Sequence, residues 1–263
     1  IRDEMMSELK AVLFDVDGTL AETERFGHLV AVNDAFKAVG LGWRWSAELY
    51  GELLKVTGST ERINHYVATW KPSYRHVNEN LDELIAEIVE HKNANYKRIA
   101  EGGEIPLRPG VERVLREIHG SDVRMGIATT TTPQNVDALL IGNIGGDVLD
   151  WFEVIAAGNM VPVKKPAPDV YDFALQQMGL KPEECLAVED SENGVRSALA
   201  AGMPVLVIES EYSTGHDLSG ACLVVDSWGT ADTPMHVLSG DALGNEMITL
   251  ELMRHLLEQS GKH

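Results

Sequence analysis

The sequence is poor in three features that mark specialised classes of protein. Only two cysteines occur in 263 residues, Cys185 and Cys222, each in an apolar stretch, so two buried reduced thiols are expected rather than a disulfide or a metal site. No apolar run approaches the roughly 20 residues of a membrane-spanning helix. Basic residues are also scarce, because 22 Lys and Arg stand against 41 Asp and Glu, a net charge of −19. This balance argues against nucleic acid or an anionic membrane as a partner.

The remaining composition is that of an ordinary globular protein, with 44% hydrophobic and 24% charged residues. The length suits one large domain or a core with a smaller insertion. The first five residues lack the apolar centre of a signal peptide. We therefore expect a cytoplasmic protein, or a protein of the plastid stroma if a transit peptide has been removed.

Two hydrophobic patterns divide the chain. Residues 22–100 carry apolar side chains at three- and four-residue spacing, which predicts four or five helices and no strand. Elsewhere short apolar runs alternate with helical segments, which indicates a doubly wound parallel sheet with helices on both faces. The strands are predicted at 10–14, 122–128, 153–157, 185–189, 204–208 and 222–225. The remainder of 210–245 is predicted to be irregular, and a last helix is predicted over 246–259.

These patterns predict an α/β protein with an inserted helical domain. A Rossmann-like core would comprise residues 1–20 and 104–263, and an α-helical cap domain would comprise residues 21–103. The insertion leaves the core directly after the first strand, at the edge of an open α/β sheet where ligands bind. We therefore expect the cap to act as a lid.

Two acids, Asp15 and Asp17, follow the first predicted strand within FDVDGTLAETE, residues 14–24. Carboxylates two residues apart at a strand end suit a hard cation, and one of them could attack an electrophile. Taken alone, the pair is better explained by a turn with two solvated acids. The choice between these interpretations depends on residues further along the chain.

Polar residues also follow two later strands, and a candidate lysine lies in a loop between them. Thr129 and Thr130 come after the strand at 122–128, where a hydroxyl and free backbone N–H groups could bind an anion, although a helix cap explains them as well. Lys165 lies in KKPAPD, where the prolines could hold its ammonium over a phosphate, or it could be a solvated lysine. Glu189 and Asp190 close the strand at 185–189 and could complete a metal site or cap the next helix.

In order along the chain, these stretches resemble the four motifs of the haloacid dehalogenase superfamily. The matching stretches are FDVDGTL, Thr129 after an apolar strand, KKPAPDVY, and AVEDSENGVRSALAAGM. A helical cap inserted directly after the first motif is also typical of that superfamily. The resemblance implies a phosphatase, that is, a phosphoric monoester hydrolase that works through an aspartyl phosphate.

The resemblance also implies a role for each matching residue. Asp15 would be the nucleophile, and Asp17 would be the general acid and base. Thr129 and Lys165 would bind the phosphate. The implied cofactor is Mg²⁺, with Asp17 binding through its backbone carbonyl and Glu189 binding directly or through a neighbouring ligand. The implied metal residues are Asp15, Asp17, Glu189 and Asp190.

A narrower resemblance joins the chain to CbbY-type phosphatases of the phosphoglycolate phosphatase and β-phosphoglucomutase branch. It rests on AETER, VTGSTERI, PLRPGVERVL and ATTTTPQNVDALL. It implies hydrolysis of a small sugar phosphate, xylulose-1,5-bisphosphate, an inhibitory by-product of the carbon-fixing carboxylase of the Calvin cycle. We expect the protein to be a monomer.

Three residues are candidates for binding the rest of that substrate. Arg62 would reach a second phosphate, Glu22 would accept sugar hydroxyls, and Gly58 would let a cap loop approach the ligand. Arg62 is equally well explained as a cation on a helix surface. Thr60 stands where a lysine is expected, which weakens the case for a bisphosphate over a monophosphate.

Alternative functions remain. Phosphoglycolate phosphatases and β-phosphoglucomutases share the branch, but the mutases carry a histidine twelve residues after the nucleophile, where this chain has Gly27. We therefore favour hydrolysis. A receiver-like signalling module also combines a phospho-accepting Asp, a Thr or Ser and a Lys. The position of the acids in the first strand, the chain length and the cap argue against it.

Overall fold

The computed structural model describes residues 8–56, 58–77 and 80–261. The chain forms two compact units, one built from the residues up to Glu22 together with those from Pro106 onward, and one from Thr23–Ile105. None of the helices in the described ranges is both long enough and apolar enough to cross a membrane.

The second unit is helical, as its hydrophobic spacing predicts. After a π-helical turn at Glu24–His28, the described residues of this unit form five α-helices. These are α1 (Leu29–Ala38), α2 (Ala47–Leu53), α3 (Ser59–Trp70), α4 (Pro72–Val77) and α5 (Leu81–Glu101). Aromatic rings fill its interior, where the ring of Tyr66 meets Trp43 and Trp45 edge to face at 5.5 and 5.2 Å between centroids.

The first unit contains a seven-stranded sheet. Its strands are β1 (Ala11–Phe14), β2 (Arg124–Ala128), β3 (Phe152–Ala156), β4 (Cys185–Glu189), β5 (Val205–Ile208), β6 (Leu223–Val225) and β7 (Val237–Gly240). They lie in the order β3-β2-β1-β4-β5-β6-β7. The first six strands are parallel, and the α/β prediction is confirmed.

Helices connect and cover the strands. They are α6 (Val111–His119), α7 (Pro133–Asn143), α8 (Asp169–Met178), α9 (Glu192–Ala200) and α10 (Leu250–Ser260), with short 3₁₀ turns at Val148–Trp151 and Pro182–Glu184. The residues of β1 are fully buried. Parallel strands covered on both faces read as continuous apolar runs, which is why they are visible in the sequence.

Three expectations need correction. The stretch predicted as irregular contains β7, which pairs antiparallel with β6 at the sheet edge. The last helix begins at Leu250 rather than 246, because the Thr249 side chain accepts a hydrogen bond from the Leu252 N–H and so caps the helix there. Both cysteines are free, but Cys222 is only half-buried.

Candidate active site

The strand order gathers the motif residues at one edge of the sheet. Since β1 lies between β2 and β4, the residue that follows β1 is flanked by the ends of both neighbours. Asp15 therefore lies between Thr129, which follows β2, and Glu189, which ends β4. The Asp15 N–H donates to the Val188 carbonyl at 2.9 Å, so the hydrogen bonds between β1 and β4 continue as far as the site. Ligands bind at the carboxyl edge of such sheets.

The Lys165 ammonium is the centre of this arrangement. It donates to Asp15 Oδ1 at 2.7 Å, Glu189 Oε1 at 2.6 Å and the Ala128 carbonyl at 2.8 Å. These acceptors match its three protons. Burial lowers the pKa of Lys165, but the charges and hydrogen bonds of Asp15 and Glu189 outweigh burial and raise it. Lys165 is therefore a fixed, desolvated cation.

Asp15 is held at both oxygens. Its Oδ2 accepts a hydrogen bond from the Thr19 hydroxyl at 3.3 Å. Burial raises the pKa of Asp15 well above its ordinary value; Lys165 opposes this rise, and the charges of Glu189 and Asp190 add to it. A further positive charge near Asp15 would therefore favour its ionised form.

Three carboxylates of this edge form a cluster that could hold a metal ion. Asp15, Glu189 and Asp190 each offer an oxygen, and these oxygens lie within 4.8 Å of one another. Glu189 is fully buried, and its Oε2 has no hydrogen-bond partner within the described part of the chain. An orphaned buried carboxylate oxygen among other carboxylates suits a hard cation such as Mg²⁺.

The other predicted site residues of this unit lie beside the cluster. Thr129 is fully buried, and its hydroxyl accepts a hydrogen bond from the Thr131 N–H at 3.3 Å. Thr130 is half-buried in the same turn. Asp17 is half-buried, and its carboxylate is not among the three clustered ones. Its proposed role as a metal ligand concerns its backbone carbonyl and stays a prediction.

Glu22, predicted to bind sugar hydroxyls, has a partner of its own. Its Oε1 lies 3.3 Å from the Arg108 Nε. Within the helical unit, the Arg62 Nε donates to the carbonyls of Leu53 and Val56, at 3.2 Å each. The Arg62 guanidinium is therefore anchored on the end of α2 and the segment that follows it, rather than free on a helix surface.

Gly58 precedes α3 with φ of +99°, and a Cβ there would lie 2.0 Å from Glu61 Oε2. Glycine is thus required by the local backbone. The substrate contacts expected of Glu22, Gly58 and Arg62 stay predictions.

Tyr171 was not identified from the sequence. Its hydroxyl donates to Glu189 Oε1 at 2.5 Å, and the Lys165 ammonium lies 5.2 Å from the centre of its ring. Burial raises the pKa of Tyr171 well above its ordinary value, with the charge of Glu189 next in effect, so the phenol keeps its proton. Tyr171 and Lys165 both donate hydrogen bonds to Glu189 Oε1, so Oε2 is the oxygen that stays available for a cation. The periodicity of α8 identifies position 171 only as buried.

Arg108 was also missed, and it connects several loops of this edge. Its guanidinium is buried and donates to four backbone carbonyls in addition to its ion pair with Glu22. These carbonyls belong to Gly18 at 2.6 Å, Ile208 at 3.1 Å, Glu209 at 2.7 Å and Asp226 at 3.1 Å. Through these hydrogen bonds Arg108 connects the turn after Asp17 with the ends of β5 and β6.

Replacing Arg108 by methionine is expected to lower the free energy of unfolding by about 3–5 kcal/mol, because the buried carbonyls and Glu22 would lose their donor. Urea denaturation monitored by circular dichroism measures the change. Arg254→Met is the matched control: it removes an exposed pair with Asp122 at 2.6 Å and should cost less than about 1 kcal/mol. Equal losses for the two variants would contradict the connecting role of Arg108.

Sequence comparison places the chain among hydrolases. A family profile described as haloacid dehalogenase-like hydrolase matches residues 9–202. Protein CbbY from Rhodobacter capsulatus is 47% identical over 219 residues, which cover 81% of this chain and 91% of that protein. The plasmid protein CbbY from Cupriavidus necator is 44% identical over 230 residues, which cover 86% and 89%.

Structure comparison gives a similar result. A crystal structure of a CbbY variant from Rhodobacter sphaeroides, in complex with xylulose-1,5-bisphosphate, superposes with a TM-score of 0.74 at 40% identity. The superposition covers 83% of this chain and 94% of that one. This similarity extends beyond the sheet to most of both chains.

Proposed function

The chain belongs to the haloacid dehalogenase-like hydrolase family, and we propose that this phosphatase is Mg²⁺-dependent and hydrolyses xylulose-1,5-bisphosphate through an aspartyl phosphate on Asp15. One observation carries the proposal. Asp15 lies within hydrogen-bond distance of a buried ammonium and within 4.8 Å of two further carboxylates. The ammonium and a cation in the carboxylate cluster would together offset the charge of a phosphate next to a nucleophile.

The first step is attack by an Asp15 carboxylate oxygen on phosphorus. A bond forms between that oxygen and phosphorus as the bond from phosphorus to the sugar oxygen breaks. Asp17 donates its proton to the departing sugar oxygen, so the product is a sugar hydroxyl. Asp15 then carries the phosphoryl group.

The second step restores the enzyme. Asp17, now ionised, takes a proton from a water molecule as the water oxygen attacks phosphorus. The bond between phosphorus and the Asp15 oxygen breaks, which releases inorganic phosphate and regenerates the carboxylate. The Thr129 hydroxyl would donate to a phosphoryl oxygen through both steps, and Lys165 would do so with the proton that it gives to Asp15 Oδ1 in the free protein.

Asp15, Glu189 and Asp190, with the backbone carbonyl of Asp17, are the residues that would hold Mg²⁺. When bound, the ion supplies positive charge that favours ionised Asp15 and offsets the charge of the phosphate. The orphaned Oε2 of Glu189 supports a direct contact between Glu189 and the ion.

The substrate is proposed from similarity and from two residues. A CbbY variant 40% identical to this chain was crystallised in complex with xylulose-1,5-bisphosphate. Anchoring of Arg62 by two backbone carbonyls supports a role for its guanidinium in binding a second phosphate. Thr60, in place of the expected lysine, would leave Arg62 as the principal cation for that phosphate.

The packing around Gly27 favours hydrolysis over a mutase reaction. A Cβ at Gly27 would lie 2.6 Å from Ile105 Cδ1 and 2.7 Å from Tyr96 Cε2. The next residue, His28, is buried and stacks on Tyr96 with ring centroids 4.2 Å apart. This packing has no room for a histidine at position 27, where the mutases carry one.

Phosphate release from a panel of sugar phosphates, measured with and without Mg²⁺, tests the proposal. We expect release only with Mg²⁺, and the highest kcat/KM for xylulose-1,5-bisphosphate. Phosphoglycolate and β-glucose 1-phosphate serve as competing substrates. If β-glucose 1-phosphate were instead isomerised in the presence of a bisphosphate primer without phosphate release, the proposed hydrolysis would be wrong.

The stabilisation that Mg²⁺ provides should depend on pH. Burial, with the charge of Glu189 adding to it, raises the pKa of Asp190 to about 7, although the Ser210 hydrogen bond opposes the rise. In the unfolded chain this carboxyl ionises near 3.8. Between these values the unfolded state binds fewer protons at this carboxyl, so the contribution of Asp190 to the stability of the metal-free protein falls as pH rises from about 4 to about 7.

Mg²⁺ requires the ionised carboxylate, so it should raise the thermal unfolding midpoint more at about pH 8 than at about pH 5. Differential scanning fluorimetry with and without Mg²⁺ measures both shifts. Asp190→Asn is the control and should reduce the shift at both values of pH. Equal wild-type shifts at the two values would contradict the assignment.

A further inference from the structure

One oxygen of the Asp190 carboxylate is enclosed by the protein. Its Oδ2 accepts a hydrogen bond from the Ser210 hydroxyl at 2.6 Å, and both residues are buried. Gly18 lies against the same oxygen, since a Cβ built at Gly18 would be 2.3 Å from Oδ2 and 3.3 Å from the Ser210 Oγ. Rotation of the carboxylate would break this hydrogen bond, so the position of the second oxygen, Oδ1, is fixed as well.

Ser210 is itself held in place by a second serine. Its N–H donates to the Ser213 Oγ at 2.8 Å, and the Ser213 N–H donates back to the Ser210 carbonyl at 3.1 Å. The two hydroxyl oxygens lie 3.1 Å apart, and Ser213 is buried. We call Ser210 and Ser213 the serine pair. It directly follows Glu209, whose carbonyl is bound by Arg108 at 2.7 Å.

The proton count of the serine pair fixes the direction of these hydrogen bonds. A serine hydroxyl has one proton, and an ionised carboxylate only accepts. When Asp190 is ionised, as cation binding requires, the Ser210 proton therefore goes to Asp190, while the Ser213 proton can go to the Ser210 hydroxyl or to the Ser210 carbonyl at 3.2 Å. Hydrogen bonds to a charged acceptor are roughly twice as strong as neutral ones.

We propose that Ser210 is a positioning residue for the metal site. Its hydrogen bond occupies Asp190 Oδ2, so Oδ1 is left to bind a cation together with Asp15 and Glu189. This inference rests on the proposed Mg²⁺ site. Ser210 lies beyond every motif that the sequence identifies, on the turn after β5. Partners that orient metal-binding side chains typically change metal affinity about 10- to 100-fold when removed.

Calorimetric titration of the whole metal-free protein with Mg²⁺ alone tests the proposal. Ser210→Ala should weaken Mg²⁺ binding about 10- to 100-fold, whereas Ser210→Thr, which keeps the hydroxyl, should bind close to wild type. Ser227→Ala is the matched control. It removes another serine–aspartate hydrogen bond, to Asp226 Oδ1 at 2.9 Å after β6, outside the carboxylate cluster. Its Mg²⁺ affinity should not change.

Turnover gives a second readout. In Ser210→Ala, the Mg²⁺ concentration for half-maximal activity should rise while kcat at saturating Mg²⁺ recovers. A merely structural role would lower kcat at every Mg²⁺ concentration. If Ser210→Ala does not fold, Ser210→Cys, which has similar volume and a weak donor, should show the same loss of affinity.

Wild-type Mg²⁺ affinity in folded Ser210→Ala or Ser210→Cys would overturn the inference. Absence of Mg²⁺ binding by the wild-type protein would contradict the proposed function itself, and the inference with it.

Discussion

Replacing Asp15 by asparagine is expected to abolish phosphate release while the protein stays folded. The amide cannot form the bond to phosphorus that starts the reaction, and loss of a covalent nucleophile costs more than about 10⁴-fold in rate. The remaining site would be intact, because Lys165 keeps Glu189 and the Ala128 carbonyl as partners. Steady-state phosphate release at saturating Mg²⁺ and substrate measures the loss.

The unfolding temperature of Asp15→Asn should show that its loss of activity is not caused by a folding defect. Burial raises the pKa of Asp15 well above its ordinary value, and although Lys165 opposes this rise, the charges of Glu189 and Asp190 add to it by repelling the ionised form. Asparagine removes this buried ionisable group with almost no change in shape, and its amide oxygen can still accept the Lys165 hydrogen bond, so Asp15→Asn should unfold at the same or a higher temperature than wild type. Activity within tenfold of wild type would count against Asp15 as the nucleophile. A large drop in unfolding temperature would contradict the expected stability of the variant.

The second large effect is expected for Asp17→Asn, which should lower kcat about 10²- to 10⁴-fold on a sugar phosphate. Both steps need this carboxyl, because the sugar oxygen must gain a proton and the attacking water must lose one. Asp150→Asn, a substitution of an exposed acid outside the site, provides the control and should leave kcat unchanged.

The choice of leaving group distinguishes the two roles of Asp17. A nitrophenolate leaves without being protonated, so p-nitrophenyl phosphate should phosphorylate Asp15 readily even in Asp17→Asn. Hydrolysis of the phosphoenzyme would still be slow, so stopped-flow absorbance should show a burst of about one nitrophenolate per active site. A slow linear release with no burst would argue that Asp17 has no separate role in the second step.

The sheet was largely predictable, because fully buried parallel strands leave continuous apolar runs in the sequence. The exception, β7, has four exposed residues in a stretch rich in Gly, Ser, Thr and Asp. Its position comes from pairing with β6, which no local pattern encodes. The parallel strands also located Asp15, Thr129 and Glu189 in advance, since each lies at the carboxyl end of a strand. The match of residues 9–202 to a hydrolase family decides against the receiver-like alternative.

Arg108 and Ser210, which hold the loops and side chains of the site in place, could not be predicted in this way. Arg108 binds carbonyls that are 90 to 118 residues distant in sequence, and its own surroundings are those of an ordinary turn before a helix. Ser210 lies 20 residues after the acid that it holds. Their functions depend on which loops meet at the sheet edge, and this is a property of the three-dimensional structure.

The central claim is that Asp15 carries the phosphoryl group. Rapid acid quenching of a single turnover, followed by borohydride reduction, converts an aspartyl phosphate into homoserine, which mass spectrometry locates in the peptide. With xylulose-1,5-bisphosphate and Mg²⁺, we expect the conversion at residue 15 and not at residue 17, rising and then falling as inorganic phosphate appears. Phosphate release with residue 15 unmodified at every time point, or modification at residue 17, would contradict the mechanism.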